Sequence, residues 1–190
     1  MSEVNAVSTK VVTGPNTRFS YLHVFEPKSI NGDKPRYSVC LLVPKSDEAT
    51  VGKIRGAILA AYKDGASKLR GTGKMVPPLE AIKNPLRDGD VERPDDPEYA
   101  GCWFINANSV QAPGIVDREC NRILDPEEIY SGCYGRASIT FFAFNSNGNR
   151  GIACGLNNLQ KVRDGERLGG RKSPEEDFAA FRNDNEDFLQ

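Results

Sequence analysis

From Tyr134 to Val162 the chain reads YGRASITFFAFNSNGNRGIACGLNNLQKV, two strand-like runs on either side of a turn-forming SNGN. An Asn-Gly pair between runs rich in β-branched and aromatic residues is the strongest short-range hairpin signal a sequence carries. Strands over Tyr134–Asn145 and Arg150–Val162 therefore dominate any fold this chain adopts, and Phe141 and Phe142, as neighbours, point to opposite faces. Three further runs have strand character: RFSYLHVFE between Arg18 and Pro27, RYSVCLLV from Arg36 to Val43, and GCWFINANS from Gly101 to Ser109. Simple alternation puts Phe19, Tyr21, His23 and Phe25 on one face of the first and Ser20, Leu22 and Val24 on the other. Ser46 is a plausible N-cap for one helix over about 47–69, in which Val51, Ile54, Ile58, Ala61 and Tyr62 recur at helical spacing. Gly71 to Pro97 holds five prolines and no sustained period, and is expected to be a long ordered loop. At least five strands, one helix and no alternation of strand and helix predict a mainly β chain with one or two helices, folded as a small, strongly bent antiparallel barrel or sandwich.

The chain has 190 residues, 38% of them hydrophobic, enough for one main domain. Its longest apolar runs, such as Ala57 to Tyr62, fall far short of the roughly 20 residues that span a bilayer. The opening MSEVNAVSTK has neither the basic nor the apolar region of a secretory signal, so the cytosol is the expected compartment and no membrane partner is called for. Five widely spaced cysteines without a CxxC pair read as reduced, mostly buried thiols. The formal net charge of -1 conceals an asymmetry: residues 175–190 carry six acids against Arg182 alone, leaving 24 basic and 20 acidic residues in the rest. A body of +4 is joined to a tail of -5 by KVRDGERLGGRK, which has the composition of a flexible basic linker. Phe178, Phe181, Phe188 and Leu189 give the tail apolar anchors that a purely solvating segment does not need.

Enzymatic chemistry finds little to build on. His23 is the only histidine and sits in an aromatic strand, where packing explains it. Cys102, Cys120 and Cys133 lack close metal-ligand spacing, and neither phosphate-loop nor dinucleotide fingerprint occurs, so no cofactor or metal is called for. Asp88, Asp90, Glu92, Asp95 and Asp96 could in principle hold magnesium as in a nuclease, but a charged turn is much the favoured account of them. Binding of single-stranded nucleic acid fits better, because it needs cations that track phosphates and rings on which bases stack. The candidate cations are Arg36, Lys74, Lys83, Arg87, Arg136, Arg150 and Lys161, and the candidate rings are Trp103, Tyr134, Tyr21 and Phe144.

The stretches RFSYLHVFEPKSINGDKPRYSVCLLVPKSD, PLRDGDVERPDDPEYAGCWFINANS and YSGCYGRASITFFAFNSNGNRGIACGLNNLQKVRDGERLGGR resemble bacteriophage single-stranded DNA-binding proteins with an OB fold. The likeness runs from about Thr9 to Arg171, and the terminal EDFL, with Asp184, Glu186, Asp187 and Phe188, resembles that family's acidic tail. Here Leu189 and Gln190 follow Phe188, so a strictly terminal phenylalanine is not met. The resemblance implies an OB-fold-like five-stranded antiparallel barrel with loop insertions over 1–170 and a flexible acidic tail over 171–190. It also implies a non-enzymatic protein of the infected host's cytoplasm that coats single-stranded DNA during replication, recombination or repair. Sequence preference would be weak and duplex binding weaker still, with the tail modulating binding and recruiting phage or host replication and recombination proteins. Strand annealing or recombination mediation, the metal-dependent nuclease and a structural virion role are the alternatives, and oligomer formation is left open.

Overall fold

The computed structural model describes residues 7–29 and 32–169, together with Pro174 and Phe178; the tail residues Asp184, Glu186, Asp187 and Phe188 lie outside the described residues. In chain order the elements are β1 (Lys10–Val12), β2 (Thr17–Lys28), β3 (Arg36–Pro44), α1 (Glu48–Asp64), α2 (Ala66–Arg70), β4 (Arg87–Asp88), α3 (Gly89–Glu92), β5 (Cys102–Ser109), β6 (Gly114–Val116), β7 (Tyr134–Ser146) and β8 (Asn149–Arg163). Five strands close into a ring in the order β2, β3, β5, β8, β7 and back to β2. Every seam is antiparallel except β5 with β8, which meet in parallel where Asn108 faces Gly155. A small closed barrel of this kind is an OB-like fold, with β1, β4 and β6 added at its margins.

The expected hairpin is the barrel's longest ladder, with Phe141 opposite Cys154 and Ser146 opposite Asn149. Asn147 and Gly148 both take positive φ, 51° and 87°, as the tight hairpin turn demands. Phe141 is buried and Phe142 half-exposed, so the two neighbours do divide between the faces. Phe19, Leu41, Ile105, Ile139, Phe141 and Leu159 fill the barrel. Gly135 lies at the seam of β2, β7 and β8, so close to β8 that an added Cβ would sit 1.9 Å from the Gln160 carbonyl oxygen.

The helix covers one side of the barrel with Val51, Ile54, Ala57, Ile58 and Ala61, which are buried. Its cap is Asp47 rather than Ser46: the Asp47 carboxylate accepts from the Thr50 amide at 3.2 Å and from the Thr50 hydroxyl at 2.7 Å. Nor does one helix run over 47–69. It breaks at Gly65, where a Cβ would stand 2.2 Å from that of Ala143 in β7, and resumes as the short α2.

The expected long loop is a strap with structure of its own. Lys83 bridges in parallel to Gly151, with its amide donating to the Arg150 carbonyl at 3.1 Å, and β4 adds to β5 with Arg87 opposite Phe104. Lys45 Nζ reaches both Asp88 and Asp90 at 2.7 Å and fastens the strap to the end of β3. Beneath it Tyr99 meets Phe104 edge to face, with centroids 5.1 Å apart, over Cys40 and Leu42. The basic stretch read as a flexible linker is also ordered at its start: Lys161 to Arg163 complete β8, and the Leu168 amide donates to the Ser131 carbonyl at 2.8 Å.

Candidate nucleic-acid interface

In OB folds the outer face of the second and third barrel strands, with the flanking loop between the first and second, takes oligonucleotides. Here those strands are β3 and β5, and their outward residues Ser38, Asn106 and Asn108 line an open cleft of about 510 Å³. The β2–β3 connection brings Lys28, Lys34 and Arg36 to its rim against the single acid Asp33, and the strap contributes Arg93. Arg36 Nη1 donates to Asn108 Oδ1 at 3.0 Å, which holds the guanidinium over the end of β5.

Tyr21 stands at the centre. The pairing of β2 with β3 slips between Ser20, opposite Cys40, and His23, opposite Ser38, so β2 carries one extra residue. Tyr21 occupies that bulge with φ of 46°, a conformation a non-glycine residue rarely adopts, and its side chain is 59% exposed. The bulge also breaks the expected grouping of Phe19 with Tyr21, since Phe19 is fully buried in the barrel. On the far side of Tyr21 a second cleft of about 740 Å³ runs between β2 and the segments carrying Tyr130 and Arg167. Tyr21, His23 and Lys28 line both clefts, so the two form one groove that passes the tyrosine ring. The Arg167 guanidinium lies 4.2 Å from the Tyr130 ring centre at its far end.

The groove's floor is electrically neutral. Burial pushes the Cys40 thiol up to about 11, and burial followed by the nearby Cys40 raises the Tyr99 hydroxyl. Desolvation, helped by Lys28, lowers His23 below its ordinary value and so favours the neutral imidazole. The charge comes from the rim, where Lys28, Lys34, Arg36 and Arg167 have no ion-pair partner among the described residues, Arg93 has only Asp96 at 3.7 Å, and the acids Glu26, Asp33 and Glu98 are outnumbered by these five cations. Cations around exposed aromatic and amide groups suit a phosphodiester chain with unpaired bases.

The residues singled out in the sequence do not assemble into one site. Tyr21 and Arg36 lie in the groove. Trp103 shares the inward stripe of Ile105 and Ala107 at the barrel's end, where Lys45 and Arg55 flank its ring at 5.2 and 4.8 Å. Tyr134 is half-buried with the guanidinium of Arg163 at 4.1 Å and that of Arg18 at 5.3 Å. Arg87 is held by Glu92 at 2.8 Å over the Phe104 ring, and Lys161 by Asp164 at 2.6 Å. Arg136 is exposed on β7, reaching the Thr13 carbonyl at 3.4 Å, and Phe144 packs over Gly151. Lys83 and Arg150 line a separate cleft near the β7–β8 turn, and Lys74 is exposed on the loop leading to it. Lys28, Lys34, Asn106, Asn108, Tyr130 and Arg167 escape the sequence reading, although the basic KSINGDKPR between two strands is the legible signal for the first two. Four of the five acids proposed for magnesium are spent on cations, Asp88 and Asp90 on Lys45, Glu92 on Arg87 and Asp96 on Arg93. Hydrogen bonds from Lys45 hold both aspartates below the usual carboxylate range.

The fold that carries this groove is shared with known proteins. The family model described as the single-stranded DNA-binding protein of Enterobacter phage Enc34 matches residues 9–189. Protein p50 of Acyrthosiphon pisum secondary endosymbiont phage 1 is 30% identical over 171 residues, covering 85% of this chain and 89% of that protein. Among solved structures, the bacteriophage Enc34 single-stranded DNA-binding protein in complex with single-stranded DNA is 28% identical, with a TM-score of 0.68 over 85% of this chain and 90% of that one. The gp2.5 single-stranded DNA-binding protein of bacteriophage T7 shares the fold at 16% identity and a TM-score of 0.57, over 93% and 96% of the two chains. The chain belongs to the family of the Enterobacter phage Enc34 single-stranded DNA-binding protein.

Proposed function

We propose that this protein binds single-stranded DNA along the outer face of β3 and β5, coating and protecting displaced strands with little sequence preference during replication, recombination or repair. The observation that carries the reading is the continuous groove in which Tyr21 projects between a cationic rim and a neutral floor. The matched Enc34 structure, solved with single-stranded DNA, supports it. Phosphates lie against Lys28, Lys34, Arg36, Arg93 and Arg167, and a base stacks on Tyr21, so binding is the whole activity. A duplex, whose bases present no free faces, binds less tightly. The site of action is the cytoplasm of the infected bacterial host.

Those five cations set a quantitative expectation. At about -0.7 per phosphate on single strands, log K for oligo-dT falls against log salt with a slope near -3.5. Titration of labelled oligo-dT by fluorescence anisotropy at a series of salt concentrations measures it, and a slope near zero would remove the electrostatic part of the reading.

The acidic tail, 171–190, regulates the groove and recruits replication partners through Phe188 and its acidic neighbours. Two facts support this: the charge of -5 on residues 175–190 opposes the +4 of residues 1–174, and the chain leaves the described barrel at Gly169, which itself lines the larger cleft. A tethered segment reaches an effective concentration of roughly millimolar and so competes with DNA. Deleting residues 173–190 is expected to tighten oligo-dT binding several-fold at low salt and to have little effect at high salt, where charges are screened. Equal affinities at low salt would end the competition model.

A further inference from the structure

The proposed groove leaves a group of cations unused. Lys68 and Arg70 close α2, Lys74 follows in the loop, Lys83 sits where the strap bridges to β8, and Arg150 opens β8. The fold draws them round the β7–β8 turn. Asn145 Nδ2 donates to the Lys68 carbonyl at 2.9 Å, a Cβ on Gly71 would lie 3.7 Å from Arg150 Nη2, and the Lys83 amide donates to the Arg150 carbonyl at 3.1 Å. Two of them, Lys83 and Arg150, line an open cleft of about 470 Å³ together with Pro77, Glu80, Ile82 and Asn149, and Lys74 lies on the chain that leads to it.

Two features mark this cleft as a place for an anion. First, none of the five cations has an acid within 4.0 Å among the described residues, whereas the strap's neighbouring cations Arg87 and Arg93 both do. Second, Arg150 Nε is buried with no hydrogen-bond partner, and buried donors are nearly always satisfied, by oxygen from outside the chain if not from within. Glu80 is the one acid in the lining, and no aromatic ring lines it, so it offers charge without a stacking platform. The strap joins it to the groove: Arg93 lines the groove, Arg87 lies over Phe104 and Lys83 lines the cleft.

We propose that this cleft is a second phosphodiester site, occupied by the same single strand after it leaves the β3–β5 face and crosses the strap. The proposal rests on the single-stranded DNA reading above and adds to it that the contact length exceeds the groove and that the added length is read by phosphate alone. Lys74 and Lys83 are both exposed, so replacing them by alanine leaves the fold intact, which an unchanged Tm verifies.

The test compares wild type with the Lys74→Ala/Lys83→Ala variant on oligo-dT of about 8 nucleotides, within the roughly 4–16 one OB fold covers, and of about 30 nucleotides. Expected is unchanged affinity for the short strand, about tenfold weaker binding of the long one at low salt, and a salt slope on the long strand shallower by about 1.4, for two lost phosphates at 0.7 each. Lys83→Glu, which reverses a charge, should weaken long-strand binding alone as well. Unchanged long-strand binding in both variants overturns the second site, and so does an equal loss on both lengths, which would put these lysines in the groove itself. Wild-type protein that fails to bind the short strand overturns the groove reading first, a result distinct from either.

Discussion

Tyr21→Ala is expected to weaken oligo-dT binding by about 1–3 kcal/mol, roughly 5- to 150-fold, the range found when a ring that stacks on a base is removed. The loss should leave the salt slope nearly unchanged, because the phosphate contacts stay with the rim cations. It should also leave the Tm nearly unchanged: the residue is 59% exposed, and alanine at φ of 46° carries the same backbone strain as tyrosine. Tyr21→Gly sharpens the test, since glycine accepts the same backbone without strain, stabilising the fold while abolishing the stack. Affinity held within twofold in both variants would mean that the bulge serves some purpose other than base contact.

Gly135→Ala is expected to be the most damaging small substitution in the barrel. The added methyl would lie 1.9 Å from the Gln160 carbonyl oxygen and 2.9 Å from Phe19 Cζ, and the first of these is ladder backbone that cannot swing aside. Overpacking of a well-filled interior costs about 1–3 kcal/mol, and this site should reach the upper end because β7 must part from β8. Against a total stability of about 5–15 kcal/mol, a loss of about 3 kcal/mol lowers the Tm by about 6–12 °C for a domain of this size. Thermal unfolding followed by the single tryptophan, Trp103, reads the change. Gly148→Ala is the contrast: nothing lies within 4 Å of its added Cβ, so only its φ of 87° is penalised.

The barrel strands were legible from alternation in β2 and β5 and from the continuous apolar run Val39–Val43 in β3, and the long hairpin from Asn147-Gly148 between runs of β-branched and aromatic residues. What alternation cannot show is a one-residue slip. The bulge at Tyr21 moves that side chain off the face Phe19 occupies, and no residue in RFSYLHVFE signals where the extra residue falls. The strap was opaque for a different reason. It is fixed by two-residue edge pairing and by Lys45 on Asp88 and Asp90, contacts with no period. The candidate site suffered most, because exposure depends on which cations already have partners: Arg87 and Lys161 looked as available as Arg36, yet Glu92 and Asp164 hold them. Arg167 was hidden inside a glycine-rich basic stretch that reads as linker, although the segment up to Gly169 packs against β2 and Tyr130. Trp103, the ring a sequence reader picks first, lies on the barrel's inward stripe beside Ile105.

The account's central claim is that unpaired bases and phosphates enter one groove past Tyr21. Fluorescence anisotropy of labelled oligo-dT and of a duplex of matched length, each at low and high salt, tests that claim most directly. The account predicts tight binding of the single strand with a salt slope near -3.5, weaker binding of the duplex, and strands left intact with magnesium present. Equal affinity for both forms, or no binding after residues 173–190 are removed, would contradict it.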